Sequence, residues 1–393
     1  MNQIDALLNK LCPIGVPIVP LGEIVKNLDS KRRPVSKDNR VLGPFPYYGA
    51  NGIQDWVDDF IFDGTYLLVG EDGSVLNNDG TPVLNWLEGK AWVNNHAHIL
   101  EAIDETVNLR FVFHFLSKTK IAEFVTGGSQ LKLNQGNLNK IPISLPPIEV
   151  QSRIAMILDA YKELEAELEA ELEARKKQYE HYRNQLLTFE KQGVRWVPMG
   201  EFATLIRGNG MPKVDFSETG VPAIHYGQIY THYRTYASET ISFVPRDKAA
   251  KLAQVEPGDI VITNTSENID DVGKAVAWLG ETTAVTGGHA TVIKHKENAK
   301  YLAYYFQTWE FASAKKKLAV GTKVIDVSAK NLAKIEIPLP SIEEQNRIVE
   351  ILDSFEAMVN DISIGLPAEL KARRQQYEYY RDQLLTFKEI DAA

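Results

Sequence analysis

Few of the residues that could perform catalysis stand in a spacing that suits a reaction. A nuclease-like Glu-x-Lys pattern occurs at Glu88 and Lys90, and again at Glu369 and Lys371. The second occurrence falls inside a predicted helix, which shows that so short a pattern arises without a nuclease site. These two stretches therefore do not indicate that the chain hydrolyses a phosphodiester.

Motifs for nucleotide binding and group transfer are also missing from the sequence. Lys274 follows Gly273 but has no glycine at the P-loop spacing, so no phosphate-cradling loop is predicted. The one Pro-Pro pair, Pro146 and Pro147, lacks the Asn or Asp and the aromatic residue that flank it in adenine methyltransferases. No Gly-x-Ser-x-Gly elbow of a hydrolase occurs. The chain is interpreted as a binding protein and not as an enzyme.

Metal sites and disulfides are not indicated either. The chain has one cysteine, Cys12, so it can form neither an internal disulfide nor the thiolate set of a structural zinc site. His96 and His98 are interpreted as a pair of strand residues rather than as metal ligands. A lone cysteine fits a reducing cytoplasm. The sequence has no apolar run long enough for a membrane span, and its first residues lack the basic start of a signal peptide. We expect a soluble, cytoplasmic protein.

Charge is divided unevenly along the 393 residues. The net charge of −9 would by itself argue against a nucleic-acid partner. Segments 141–191 and 334–393 carry −8 of this charge, mostly in glutamates of helical character. The other segments, 1–140 and 192–333, are close to neutral, so local basic patches there could bind a phosphate backbone.

Several loops in the near-neutral segments have the composition of a DNA-binding surface. Lys and Arg bind phosphates, whereas Asn, Gln, His and Arg can read base edges. Candidate DNA-binding residues in the first segment are Lys31, Arg32, Arg33, Lys37, Arg40, Tyr48 and Asn51. Candidates in the second are Arg207, Asn209, Lys213, His225, Tyr226, Gln228 and Tyr230.

The sequence repeats itself at a separation near 190 residues. NLNKIPISLPPIEVQSRIAMILD at 137–159 recurs as NLAKIEIPLPSIEEQNRIVEILD at 331–353. QYEHYRNQLLTF likewise recurs as QYEYYRDQLLTF, and a repeat of this length indicates two related domains. Two further pairs of stretches align between the bodies of the repeats: 92–100 with 285–293, which sets His96 opposite His289, and 124–134 with 318–328.

Each repeat ends in a long helical segment. Residues 149–189 contain no Pro or Gly and include ELEA three times, so one nearly continuous helix of roughly 60 Å is predicted. Ser341 and Glu344 predict a capping box for the second helix. Gly365 and Pro367 should break or kink that helix.

Mostly apolar seams recur every seven positions along these helices, which is typical of a coiled coil. Two such helices would bury their apolar seams against each other as an antiparallel pair. They could serve only as dimerisation struts, but because they separate related bodies a fixed spacer is the sharper interpretation. The seam residues are Leu158, Tyr161, Leu168, Leu172, Tyr179, Tyr182, Leu186, Phe189, Leu352, Phe355, Tyr377, Tyr380, Leu384 and Phe387.

Short β-type runs punctuated by Gly, Asn and Asp fill the bodies. The predicted fold class is α+β, with two β-rich α/β bodies joined and spaced by two long antiparallel coiled-coil-like helices in an internal pseudo-twofold repeat. The expected divisions are 1–146 for the first body, 147–191 for the central helix, 192–340 for the second body and 341–393 for the C-terminal helix.

These motifs together resemble a type I restriction-modification specificity subunit. The resemblance rests on LPPIEVQSRI and LPSIEEQNRI, on the two QYExYRxQLLTF stretches, on PLGEI, YYGANG and HYGQIYTHY, and on the ELEA tract. It covers essentially the whole chain. It implies that the bodies are target-recognition domains that each read one half of a bipartite double-stranded DNA site, while the helices set the gap.

The resemblance also implies partners and cofactors outside this chain. The subunit would not be an enzyme and would bind no metal, cofactor or membrane. Its seam residues would form the helix pair and dock two modification subunits, which use S-adenosylmethionine to methylate adenine N6. Two restriction subunits that use ATP and Mg would complete a nuclease. Loops where each body meets its helix supply the further candidate DNA contacts Ser129, Gln130, Lys132 and Lys323.

Two other classes of function stay open at this point. A nuclease or methyltransferase acting alone would need a metal or methyl-donor site, and the purified chain should be inactive if that reading is wrong. A protein-only scaffold would use the helices without touching DNA, and the acidic balance gives this reading weight. Salt-dependent DNA affinity of an assembled complex would separate it from a specificity subunit. The acidity also leads us to expect weak DNA binding by the isolated chain.

Overall fold

The computed structural model of the protein describes residues 2–128, 130–190, 193–360 and 365–391. They divide into a first unit, Met1–Glu169 with Glu369–Ala393, and a second unit, Ala170–Ala368. Each unit therefore contains one of the expected bodies together with parts of both helical segments. No helix in the described ranges is long and apolar enough to cross a membrane.

The α-helices are α1 (Asn2–Leu11), α2 (Leu21–Ile24), α3 (Leu109–Leu116), α4 (Gln135–Leu138), α5 (Ile148–Leu187), α6 (Met199–Phe202), α7 (Tyr226–Thr231), α8 (Arg246–Ala249), α9 (Ala299–Tyr305), α10 (Trp309–Leu318), α11 (Ala329–Leu332), α12 (Ile342–Asn360) and α13 (Gly365–Leu384). The strands are β1 (Val16–Pro20), β2 (Val25–Asn27), β3 (Leu42–Gly49), β4 (Gly52–Val57), β5 (Phe62–Gly70), β6 (Leu84–Val93), β7 (Ala97–Ala102), β8 (Pro142–Ser144), β9 (Arg195–Pro198), β10 (Thr204–Arg207), β11 (Val221–Ile224), β12 (Tyr236–Ala237), β13 (Phe243–Val244), β14 (Ala253–Val255), β15 (Ile260–Thr263), β16 (Thr265–Ser266), β17 (Ala275–Trp278), β18 (Ala284–Thr286), β19 (Ala290–Lys294), β20 (Ile325–Asp326), β21 (Glu336–Leu339) and β22 (Glu389–Asp391).

A six-stranded mixed sheet, ordered β2-β7-β5-β6-β3-β4, forms the body of the first unit. Its neighbours run antiparallel except for β3 and β6. The central strand β5 is covered on both faces, because Leu67 belongs to the same core cluster as Phe111 of α3, whereas Leu68 belongs to a separate cluster with Ile99. A smaller sheet joins β1 to β8 and to β22.

The body of the second unit contains a five-stranded sheet, β10-β19-β15-β17-β12, and a four-stranded sheet, β13-β11-β18-β14. Its central strand β15 is also buried on both faces, since Ile260 and Ile262 lie in one cluster and Val261 in another. Continuous apolar runs of this kind are typical of strands without a solvated face. The prediction of two units of mixed helix and sheet is confirmed.

The repeated sequences make equivalent backbone contacts in the two units. In the first unit, N of Leu21 donates to O of Ile141 at 2.9 Å. In the second, N of Met199 donates to O of Ile335 at 2.9 Å. The repeated stretches therefore adopt the same local structure in both units.

A buried glutamine fixes the start of each long helix to its body. Oε1 of Gln151 accepts from N of Asn108 at 2.8 Å, and its Nε2 donates to O of Pro146 at 2.7 Å. Gln345 accepts from N of Asn298 in the same way, at 3.0 Å. The two glutamines are 1% and 0% exposed, so water cannot replace these bonds.

The central helix α5 runs unbroken over 40 residues, which confirms the predicted continuous helix. The second helical segment is divided, as expected, because α12 ends before Gly365 and α13 begins there. Oγ of Ser341 accepts from N of Glu344 at 3.4 Å, which is one of the two bonds of the predicted capping box.

Equivalent aromatic pairs join the helical segments inside each unit. Tyr161 stacks on Tyr380 in the first unit with ring centroids 5.5 Å apart, and Tyr182 stacks on Phe355 in the second at 5.6 Å. Tyr182 is the exposed member of the seam. The buried seam residues are Leu158, Tyr179, Leu352, Tyr377 and Leu384. The half-buried ones are Tyr161, Leu168, Leu172, Leu186, Phe189, Phe355, Tyr380 and Phe387.

A buried histidine joins α3 to α5 in the first unit. Nε2 of His114 lies 2.7 Å from Oδ1 of Asp159, and Nε of Arg110 donates to the same oxygen at 2.7 Å. Burial lowers the pKa of His114 to about 4, although the bond to Asp159 opposes this shift. In the second unit, the hydroxyl of Tyr304 donates to Asp353 at 2.7 Å instead.

We expect the first unit to lose stability as the pH falls from about 6.5 to about 4. The unfolded chain binds a proton on His114 near pH 6.5, whereas the folded ring stays neutral to about pH 4. The stabilisation is therefore complete above pH 6.5 and is lost on acidification, by about 3 kcal/mol. Urea unfolding at pH 7.5 and 4.5 should show a loss of stability that is larger for the wild type than for His114→Gln by about 3 kcal/mol. The exposed His181→Gln should behave as the wild type. An equal loss of stability on acidification in the wild type and in His114→Gln would contradict the prediction.

Candidate nucleic-acid interface

Three segments of the first unit meet at the end of strand β5. N of Glu71 donates to O of His96 at 2.9 Å, and O of Glu71 accepts from N of Leu133 at 2.8 Å. The backbone of Asp72 also pairs with that of Lys132 in an isolated antiparallel β-bridge. The segment after β5 is thus held between the turn before β7 and the loop before α4, an arrangement that we call the first crossing.

The second unit repeats this arrangement after strand β15. N of Asn264 donates to O of His289 at 2.8 Å, and O of Asn264 accepts from N of Val327 at 2.9 Å. Thr265 pairs with Asp326 where the first unit pairs an aspartate with a lysine. In this second crossing the backbone contacts are kept while the side chains change.

A glycine closes the loop of each crossing. Gly127 has φ +100°, and a Cβ there would lie 2.1 Å from O of Gln130. Gly321 has φ +108°, and a Cβ there would lie 2.1 Å from O of Val324. Because other residues avoid this conformation and would clash, both loops depend on glycine for their shape.

Candidate DNA contacts lie on both of these loops. Gln130 and Lys132 are exposed in the first crossing, and Lys323 is exposed in the second. Nζ of Lys132 lies 3.5 Å from Oε1 of Glu71, yet 52% of its side chain is exposed, so the ammonium group remains accessible. The fourth candidate of this group, Ser129, lies outside the described residues.

Arg32, one of the candidate DNA contacts, is engaged inside the first unit. Its guanidinium donates to Glu71 at 2.5 Å and to the carbonyls of Ala97 and Asn95 at 2.8 and 3.3 Å. Only 13% of the side chain is exposed, so it braces the turn of the first crossing. The other basic candidates of the loop are exposed: Lys31, Arg33 and Lys37.

The remaining candidates of the first unit have partners of their own. Arg40 pairs with Asp55 at 3.2 Å. Nδ2 of the exposed Asn51 donates to Oγ of Ser74 at 2.7 Å. Tyr48 is half-buried, and burial raises the pKa of its hydroxyl. Asn51 is therefore the most accessible of these side chains.

An arginine also braces the second crossing. Nε of Arg207 donates to O of Gly288 at 3.3 Å, and its Nη2 lies 3.1 Å from Oδ2 of Asp326. It thus joins the turn before β19 to the loop before α11, in a role like that of Arg32. Unlike Arg32, its side chain is 43% exposed, so the guanidinium can also meet a ligand.

The candidates around α7 mainly shape that helix. Nδ1 of His225 accepts from N of Gly227 at 3.1 Å, and burial lowers the pKa of this histidine. Oε1 of Gln228 accepts from N of His225 at 3.3 Å, which completes a capping box. The hydroxyl of Tyr230 donates to O of Thr265 at 2.8 Å, so α7 is tied to the second crossing.

Three further candidates of the second unit are accessible, besides Arg207 and Lys323. Asn209 and Lys213 are exposed, although Nδ2 of Asn209 donates to O of Lys251 at 2.9 Å. The half-buried ring of Tyr226 lies 4.7 Å from the ring of His289. An open cavity of about 540 Å³ lies beside this pair, lined among others by Tyr230, Thr265, Asn268 and Val324.

The two histidines aligned in the sequence occupy equivalent exposed turns. His96 precedes β7 and His289 precedes β19. The interpretation of His96 and His98 as a pair of strand residues is wrong, because only His98 lies in β7. His96 falls in the turn between β6 and β7, where its N donates to Oδ1 of Asn94 at 2.8 Å and so closes a local turn.

One group of acidic and histidine side chains among the described residues is close enough to suggest a metal site: Asp29, Glu71 and His98. Both ring nitrogens of His98 already face oxygen acceptors, Asp29 at 2.5 Å and O of Leu133 at 2.7 Å. The Arg32 guanidinium contacts both carboxylates. Burial would raise the pKa of Asp29, but the bond from His98 and the nearby charges lower it. The group fits an internal charge network and not a cation site.

The sequence matches, in two copies, the family described as the type I restriction modification DNA specificity domain, over residues 13–174 and 193–372. A type I restriction enzyme specificity subunit of Haemophilus influenzae is 33% identical over 380 residues, which cover 94% of each chain. The EcoR124I/EcoR124II specificity subunit of Escherichia coli is 31% identical over 405 residues, which cover 98% of each chain.

Two solved structures share the fold. A type I restriction-modification S subunit from M. genitalium has a TM-score of 0.58 at 14% identity, over 94% of this chain and 96% of that one. A chain from a structure of type I system assembly and conformational transition has a TM-score of 0.59 at 15% identity, over 95% and 98%. At such low identity the likeness supports the fold alone.

We expect Arg32→Ala to destabilise the first unit by about 3 kcal/mol, because it leaves the part-buried carboxylates of Asp29 and Glu71 without their guanidinium. Arg33→Ala, which removes an exposed neighbour of the same charge, should change the stability by no more than about 0.5 kcal/mol. Urea unfolding of the two variants measures the difference. Equal, small effects would show that Arg32 does not brace the turn.

Proposed function

Because the chain belongs to the type I restriction-modification DNA specificity family, we propose that each of its two bodies reads one half of a bipartite DNA site. The chain is a specificity subunit and not the catalytic component of such a system. In this proposal, segments 1–146 and 192–340 are the target-recognition domains. Segments 147–191 and 341–393 are the helices that set the gap between the half-sites.

The observation that carries this proposal is the pair of crossings. Each holds three segments by backbone bonds and presents side chains that differ between the units, such as Lys132 in one and Asp326 in the other. A lysine can bind a phosphate or guanine, whereas an aspartate can accept from the amino group of cytosine. Two domains with one framework and different side chains suit two different half-sites.

Exposed cations on the two bodies, three of them at the crossings, support contact with the phosphate backbone. Phosphate contacts supply most of the affinity in protein–DNA complexes but little of the sequence preference. The accessible cations that we assign to this role are Lys31, Arg33, Lys37, Lys132, Arg207, Lys213 and Lys323. For base contacts the accessible side chains Asn51, Gln130, Asn209 and Tyr226 are favoured over Arg32, Arg40, Tyr48, His225, Gln228 and Tyr230, which have internal partners or are part-buried.

The duplicated helices suit two copies of one partner. Tyr161 with Tyr380, and Tyr182 with Phe355, show that helical segments pack in the same way inside each unit. Two equivalent surfaces can bind two identical subunits. In our proposal these are adenine-N6 methyltransferase subunits that carry S-adenosylmethionine, and through them two restriction subunits that use ATP and Mg.

The central helix would also act as a spacer. One ELEA unit adds roughly 6 Å of helix and turns its end by about 40° beyond a full turn. One base pair advances the duplex by about 3.4 Å and turns it by roughly 35°. A change of one unit therefore corresponds to one or two base pairs of gap.

Methylation mapping tests the proposed function directly. We expect the chain, co-expressed with its methyltransferase partner, to direct adenine methylation to one bipartite sequence, which long-read sequencing of host DNA would show. The complex should lose DNA affinity as salt rises. Methylation or cleavage by the purified chain alone would favour a lone enzyme. A complex that assembles but binds no DNA at any salt concentration would favour a protein-only scaffold.

Deleting one ELEA unit should shorten the gap by one or two base pairs and leave both half-sites unchanged. Deletion of residues 171–174 keeps Glu165 and Glu169, which both pair with Arg374 in the first unit. Glu167→Gln, which keeps the helix length at an exposed position, should leave the gap unchanged. The same methylation mapping provides the readout. Changed half-site bases with an intact gap would show that the helix is not the spacer.

A further inference from the structure

His96 and His289 share a position in the fold that the proposed contacts leave unused. Each is exposed in the turn that ends at β7 or β19. In each case the backbone carbonyl of the histidine accepts a bond from the segment after the central strand, at 2.9 Å from Glu71 and at 2.8 Å from Asn264. The two bodies therefore present the same residue type at the same place, although most side chains around it differ.

The ring of His96 is held through one of its two nitrogens. Its Nδ1 bonds to Oδ1 of Asp72. A carboxylate can only accept, so Nδ1 carries the hydrogen. In the neutral ring, Nε2 is then an acceptor, and it has no partner among the described residues. With 49% of the side chain exposed, this nitrogen is available to a ligand.

The turn that carries His96 is itself fixed. N of His96 donates to Oδ1 of Asn94 at 2.8 Å, and Asn94 is only 3% exposed. Arg32 bonds to the carbonyls on either side of His96, those of Asn95 and Ala97. Because the backbone of His96 and Nδ1 of its ring are already fixed, binding through Nε2 would cost little conformational entropy, as a specificity contact requires.

His289 is anchored in the same way by different chemistry. Its Nδ1 lies 2.8 Å from Oγ1 of Thr265, which stands at the position equivalent to Asp72. The ring of Tyr226 packs beside it, and Arg207 bonds to the carbonyl of the preceding Gly288. A hydroxyl can donate or accept, so either tautomer of His289 is allowed, and Nε2 can be a donor or an acceptor.

We propose that His96 and His289 are specificity-determining residues, each offering Nε2 to a base edge in one half of the DNA site. This inference rests on the proposed function of the two bodies as readers. Neutral His96 is matched to an exocyclic amino group, N6 of adenine or N4 of cytosine, because these are the hydrogen-bond donors of the major groove. Asp72 and Thr265 act as positioning residues, since they set which way each ring points.

The test uses the complex with its methyltransferase partner and maps methylated sites for His96→Ala and His289→Ala. Each variant should lose roughly tenfold or more of its discrimination at one base pair of one half-site. The two variants should affect opposite half-sites, and the exposed His232→Ala should affect neither. His96→Gln keeps a polar group at the position and should retain methylation with an altered preference at the same base pair, which guards against a failure of His96→Ala to fold.

Asp72→Ala tests the positioning role. It should weaken discrimination at the same base pair as His96→Ala, and the double variant should be no worse than His96→Ala alone, because contacting residues are not additive. A loss of methylation spread evenly over all sequences would show phosphate contact or a structural role and would overturn the inference. Unchanged half-sites in both histidine variants would also overturn it while leaving the proposed function intact. A wild-type complex without a bipartite pattern would instead refute the proposed function.

Discussion

The buried amide of Gln151, with its counterpart Gln345, is the contact on which the geometry of each unit depends. It satisfies a backbone N–H at the start of a body helix and, through its other end, the proline carbonyl that precedes the long helix. A side chain that uses both its donor and its acceptor fixes direction as well as distance, and leaving either partner unpaired would cost about 1–3 kcal/mol. Because the long helix starts from this contact, the direction of the helix relative to its own body is set there.

The crossings show how one backbone framework can carry two different sets of side chains. Their shape comes from main-chain bonds and from Gly127 and Gly321, so it does not depend on which side chains point outward. Side chains contribute only the arginine contacts, in which Arg32 or Arg207 donates to a carbonyl of the turn. Lys132 and Asp326 can therefore differ in sign at equivalent positions without a change of fold.

Features that depend on local periodicity could be predicted from the sequence, whereas long-range pairing could not. The run without Pro or Gly at 149–189 predicted α5 to within two residues at each end, and Gly365 marked the start of α13. The role of Arg32 was hidden, because its partners Glu71 and Ala97 lie 39 and 65 positions away. Aligning the repeats set His96 opposite His289, but it could not show that Asp72 and Thr265 anchor them.

The concentration of negative charge in the two helical segments has a consequence for how DNA binding responds to salt. In the proposed complex, lysines on the bodies would release condensed counterions from the duplex, so their contribution to affinity would fall as the salt concentration rises. Repulsion between the duplex and the glutamate-rich helices is screened over the same range, since the Debye length is about 10 Å at 0.1 M. The two effects have opposite signs, so the slope of affinity against salt would understate the number of phosphates that the bodies contact.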